Sequence, residues 1–177
     1  MSALGSRKER KAGRRPGAAR AALASGAQAF LVAALLVEPS LGTVSRVGLL
    51  PAAGIILAIV ALGVAFDVVG VAAAAADEQP FHAMAAKRIT GARQAIEIVR
   101  RADRVATFTV DLVGEITAAI SGAAGAAVVF RLASGYGYPV EIMNTLVIAG
   151  IAALTVAAKA AVKGVAIRRA NSIVFLL

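Results

Sequence analysis

Three acids and one base pose the chemical question in this chain: Asp67, Asp111, Glu115 and Lys159. Asp111 and Glu115 are four residues apart, so a helix presents them on one face. From 105 onward the text around them is long and apolar enough to cross a bilayer, and Asp67 interrupts a second such run. A carboxylate at membrane depth is costly and normally faces a bundle interior, paired or lining a polar path. Three carboxylates and one ammonium carry a net −2, which matches one divalent ion. Hard cations such as Mg²⁺ take oxygen ligands and usually keep waters. The candidate metal ligands are therefore Asp67, Asp111 and Glu115. The competing reading is a structural lock, in which Lys159 pairs with one acid and the others are protonated or hydrogen-bonded. The residues alone leave both open.

Helices at bilayer depth must position these groups. Asp111 and Glu115 follow Asp103, the first charge of their span, by eight and twelve residues. At ~1.5 Å per residue they lie roughly 12 and 18 Å in. Asp67 precedes Asp77 by ten residues, which puts it roughly 15 Å in. Lys159 precedes Arg168 by nine, so a helix continuing that far holds it roughly 13 Å in. With a hydrocarbon layer about 30 Å thick, all four approach one midplane level.

The composition agrees with a membrane solvent. The 177 residues are 59% hydrophobic with five per cent aromatic and no Trp, and mean hydropathy is +0.80. One compact bundle fills that length. No cysteine is present, so disulfides and thiolate metal sites are excluded. There is no His/Cys pair, Gly-rich phosphate loop or metalloprotease motif, and the chain reads as a non-enzyme.

Four apolar segments are predicted, at 23–44, 47–76, 105–133 and 140–161. The first has a short strong core, and Glu38-Pro39 interrupts it. It resembles the apolar region of a signal peptide, but no small-x-small cleavage site follows. It reads as a retained anchor, short or half-inserted. The second is longer than a perpendicular span requires, so it tilts. Residues 80–104 differ: Pro80 opens a helix, Gly91 splits the stretch, and apolar residues recur at helical spacing between six Lys/Arg. That is a pair of basic amphipathic helices at a membrane surface. His82 reads as a surface residue. Tyr136 and Tyr138 suit an interfacial belt. Residues 162–177 are expected to form a separate cytoplasmic helix, and 1–20 a disordered basic tail.

Charge sets the orientation. Seven Lys/Arg precede the first segment, six lie between the second and third, and four run from Lys159 to the end. Alternate loops are thus basic, the positive-inside pattern. The expectation is an integral protein of a prokaryotic-type cytoplasmic membrane, with both termini and the helix pair in the cytoplasm. The net charge of +9 is then a topology signal and not a nucleic-acid footprint. The bilayer is the first partner, and the basic segments offer contact to anionic headgroups.

The acids also sit in similar text. Phe66-Asp67-Val68-Val69-Gly70 runs towards the cytoplasm, and Val110-Asp111-Leu112-Val113-Gly114 runs away from it. Inverted pairs with midplane sites recur in transporters. Gly70 and Gly114, each three residues after its Asp, would let backbones approach.

The second to fourth spans resemble the transmembrane domain of the cyclin M / CorC family of magnesium-efflux proteins, over about 48–175. The family's last helix carries Gly-Glu-Ile-Leu-Pro-Lys-x-x-Ala-Leu. Ala158 to Ile167 falls on it, with Lys163 and Ala166 matching. Arg168 to Ile173 resembles the family's Arg-Asn-Pro-Glu-Arg-Ile run, and Asp103-Arg104 the Asp-Arg that opens its second helix. The basic helix pair resembles the family's juxtamembrane helices. Asp111 and Glu115 then fall on two asparagines and Asp67 on a serine, positions that surround a bound cation in the family. The family's glutamate there is Lys159 in this chain, and the motif proline is Val162. The family's nucleotide-sensing domains have no counterpart here, and the first segment is additional. The resemblance implies an all-α dimeric membrane protein that binds or moves a Mg²⁺-like divalent cation, with Gly70, Gly114, Lys159 and Lys163 neighbouring the site. The rival is a non-transporting scaffold or regulator whose midplane charges are a salt-bridge lock.

Overall fold

The computed structural model describes residues 16–136 and 139–177, with side chains placed from residue 23 onward except at 45, 135 and 136. Among these residues there is no strand. The protein is an all-α membrane protein with four helices long and apolar enough to span a bilayer.

Helix α1 covers Pro16–Arg46 and α2 covers Leu49–Ala75. The short helices α3 (Gln79–Ala86) and α4 (Ala92–Arg100) follow. Then α5 (Ala102–Ala106), a π-helical stretch (Thr107–Val113) and α6 (Gly114–Tyr136) join end to end as one rod. Helix α7 is Val140–Arg168 and α8 is Ala170–Leu176. The rod is central: α6 packs against α1, α2 and α7, and α2 also packs against α7. α2 and the rod form the inner pair, whereas almost none of α1 or α7 is buried.

Three boundaries depart from expectation. α1 is not interrupted at Glu38-Pro39 and runs unbroken for 31 residues. Proline inside a helix removes one i→i−4 bond, here the one to Leu35 O, and it does not end the helix. The Ser40 hydroxyl donates to Leu36 O at 2.7 Å and Thr43 to Pro39 O at 2.8 Å. The third span begins at Ala102 and contains the π stretch. The fourth does not stop at 161: α7 continues to Arg168, and the chain breaks at Arg169 (φ −110, ψ 23) before α8. Nothing between 162 and 168 forbids a helix, since Gly164 is tolerated at modest cost. Of the disordered tail expected at 1–20, residues 16–20 are instead the first turns of α1, and 1–15 and the Tyr138 belt position lie outside the described residues.

α2 ends where Asp77-Glu78-Gln79-Pro80 begins, and Pro80 sits in the first turn of α3, where a missing N–H does least harm. α3 closes with Ile89 N donating to Met84 O at 3.1 Å and Arg88 N donating to Ala85 O at 3.0 Å. Arg88 takes φ 57, a left-handed conformation. Gly91, at φ 90, then turns the chain into α4. Phe81, 1% exposed, is the centre of a small core with Ala72 of α2, Ala95 of α4, and Ala170 and Val174 of α8. These elements make one knob between the second and third spans.

The opposite end of the bundle has its own tie. The Arg131 guanidinium donates to Val44 O at 3.3 Å and Val47 O at 2.7 Å. It thereby satisfies carbonyls at the α1–α2 turn, next to buried Val44 and Ala52. That accounts for an arginine at the end of the bundle that is otherwise poor in basic residues.

Candidate charge site within the membrane

Asp67 lies on the buried face of α2, with 7% of the residue exposed. Lys159 projects from α7 so that its Nζ stands 3.2 Å from Asp67 Oδ1. Gly114, the first residue of α6, lies against the same ammonium: a Cβ there would be 3.3 Å from Nζ. The charge pair thus sits where α2, α6 and α7 converge. The lysine side chain is 28% exposed and the aspartate side chain 10%. Taking two charges out of water is expensive, and close pairing offsets much of that cost.

Glycines and hydroxyls build the walls. A Cβ at Gly70 would overlap the Thr109 hydroxyl, come within 2.6 Å of Val110 Cγ2 and within 3.3 Å of the Ala106 backbone. A Cβ at Gly63 would overlap Thr117. α2 is therefore notched one turn before and one turn after Asp67, and a threonine of the central rod fills each notch. Both threonines and Ser121 are buried. Thr109 donates to Val105 O at 2.9 Å, Thr117 to Val113 O at 2.9 Å, and Ser121 to Ala118 O at 3.0 Å. Each hydroxyl proton is satisfied within its own helix, while the oxygen keeps lone-pair capacity. Sequence reasoning missed this hydroxyl row. The readable signal was the seven-residue spacing of Gly63 and Gly70 on α2 against the eight-residue spacing of Thr109 and Thr117 on the rod.

The three acids do not come together. Asp111 and Glu115 share one face, as their spacing requires, but both are exposed on the outside of the rod. Among the described residues no group of three His, Asp or Glu side chains could hold a metal ion. The similar texts around Asp67 and Asp111 are therefore not equivalent in space: the first acid is buried and paired, the second is exposed. The rod is turned so that Thr109 and Val110 of its π stretch, and not Asp111, meet Gly70 of α2. Gly70 makes the expected close approach to the rod, whereas Gly114 approaches Lys159. Lys163, one turn beyond Lys159, is exposed and has no part in the pair.

A second charge group lies in the knob. Arg100 Nε donates to Glu78 Oε1 at 2.6 Å, and His82 Nε2 lies 2.8 Å from the same oxygen. The Arg100 bond, then the His82 bond, hold the Glu78 carboxyl below its ordinary range. His82 is thus a surface residue with a half-exposed side chain, in agreement with the sequence reading. Compared with protein-family models, curated proteins and solved structures, the chain has no significant match to any of them.

Proposed function

We propose that the protein is a non-transporting membrane scaffold or regulator, and that its Asp67–Lys159 pair is a structural lock joining α2 to α7. The observation that supports this reading is the 3.2 Å contact between Lys159 Nζ and Asp67 Oδ1. The chain's own ammonium stands beside Asp67, the one buried acid among the described residues, where the resemblance to the cyclin M / CorC family would put a bound cation. A cation supplied by the protein removes the charge deficit that would recruit Mg²⁺. Lys159→Ala then destabilises the protein without divalent ions, and Mg²⁺ partly rescues it. Thermal melts in detergent, with and without Mg²⁺, test this. A neutral substitution, together with Mg²⁺ stabilisation of the wild type, rejects the lock.

One observation favours a second reading, divalent-cation transport by a homodimer. Asp111 and Glu115 are exposed at membrane depth, where a lipid-facing carboxylate is costly. A second copy covering that face would bring carboxylates of two chains together. Mg²⁺ flux in proteoliposomes, wild type beside Asp111→Ala, separates the readings. The scaffold predicts no flux from either protein, and the transporter predicts flux that Asp111→Ala abolishes.

Either reading uses a topology with both termini and 80–104 in the cytoplasm. Cysteines introduced one at a time at Ser6, Gly91 and Gly137 check it with an impermeant label. Only Gly137→Cys should react from outside, and reaction at Gly91→Cys overturns the orientation.

A further inference from the structure

The knob carries a cluster of cations that its own acids leave unused. Arg100 is bound to Glu78, and Arg101 is bound to Glu97. Lys87, Arg88 and Arg93 at the α3–α4 turn are exposed and have no ion pair among the described residues. Arg88 and Arg93 line one shallow depression, with Ile89, Thr90 and Gln94. The N-terminus of α4, whose first N–H groups have no side-chain cap, begins at that depression.

Arg88 is the informative residue. It closes α3 in the left-handed conformation, at φ 57. That position favours glycine, because a Cβ there crowds the backbone. Stability alone gives no reason for an arginine.

Apolar groups stand beside these cations. Ile89 is 41% exposed between Arg88 and Thr90. Gly91 packs against the Phe175 ring, with a Cβ there 3.7 Å from Cε2, and the adjacent Leu176 is 85% exposed. Unpaired cations next to exposed aliphatic side chains match the headgroup–acyl boundary of a bilayer better than a polyanion in water. The hairpin is also held near a bilayer. It is joined to two spans, α2 and the rod, and Phe81 clamps it to α2 and α8.

We propose that the α3–α4 turn is a docking surface for anionic phospholipid headgroups of the leaflet on its own side of the bundle, with Arg88 and Arg93 holding the headgroup phosphate and Ile89 entering the apolar boundary. The inference is independent of whether the midplane pair is a lock or part of a transport site.

The test is thermal melting of the purified full chain in mixed micelles of neutral detergent. Phosphatidylglycerol is added in one arm, phosphatidylcholine in a second, and inorganic phosphate or a short single-stranded oligonucleotide in two others. Wild type should gain melting temperature with phosphatidylglycerol alone. Arg88→Gly should melt at or above wild type without lipid, since glycine suits the left-handed turn, yet lose most of the phosphatidylglycerol shift. Arg93→Gln should lose part of it, and Arg101→Gln should keep it. Three results would each overturn the proposal: no phosphatidylglycerol shift in wild type, an equal shift with phosphate or the oligonucleotide, or a full shift retained in Arg88→Gly.

Discussion

The midplane junction and the surface knob each join several helices with few residues, and they do it in opposite ways. The knob is centred on one ring, Phe81, and keeps its charges at the edge, where Glu78 meets Arg100 and His82. The junction places the charges beside glycines and buried hydroxyls. Gly70 and Gly114 open space for Thr109 and the Lys159 ammonium. The difference follows from the solvent. Water outside the knob drives apolar burial and makes an exposed ion pair nearly worthless. Lipid offers no such drive between spans, so close packing at small residues and polar contacts must hold them. The same residue types therefore carry opposite weight at the two sites, which substitutions can test.

The largest effect is expected in the knob. Phe81→Ala should cost about 3–5 kcal/mol, the usual range for emptying a buried phenyl site. The loss should be local, with trypsin cutting first among the basic residues of 87–104 while the spans resist. Simultaneous cleavage within the spans would show that knob and bundle unfold together.

Lys159→Ala comes next. Leaving a buried charge unpaired costs about 3–5 kcal/mol, and partial exposure of Lys159 puts this case at the lower end. The double substitution Asp67→Leu with Lys159→Met should recover most of the loss, because replacing both partners by apolar groups is often neutral. Unfolding in mixed detergent measures both, and a double variant no better than the single one would refute a simple pair.

Gly70→Ala should cost about 1–3 kcal/mol, the range for overpacking a close contact. Thr109→Ala in the same chain should restore part of it by removing the overlapping hydroxyl. Additive losses instead would mean that Val110 and the Ala106 backbone, and not the hydroxyl, set the limit.

The smallest effect is at Glu78. Its folded carboxyl is held below the ordinary range, so its contribution is fully present above the unfolded value and is lost as pH falls through the lowered folded value. Melting temperature against pH should show that acid limb in wild type and lack it in Glu78→Gln. A steeper limb in the variant would point to a different acid.

How much could be read in advance also differs between the two regions. The knob was largely legible: Pro80, Gly91 and the helical spacing of Phe81, Met84, Ala85 and Ile89, then of Ala92, Ala95, Ile96 and Val99, point to two short helices with one apolar side, from which only Ile89 departs by being exposed. There the pattern itself says which face is inside. The charge at Arg88 was visible as well, but not its left-handed backbone, which arises from how α3 ends. In the spans the pattern is silent. α2 is apolar all round, so nothing in its periodicity chooses a buried face.

By itself the sequence determined the apolar composition, the four spans, the alternation of basic loops and the positions of Asp67, Asp111, Glu115 and Lys159 along their helices. Those depend on composition and on distance along a helix, and both are local properties. Only the tertiary structure decided which of these groups meet. A helix of known depth still has a free rotation about its axis. That rotation is set by notches at Gly63 and Gly70 and by the threonines that fill them, Thr117 of α6 and Thr109 of the π stretch. Hence Asp67 finds Lys159 across the bundle, while Asp111 and Glu115 are exposed.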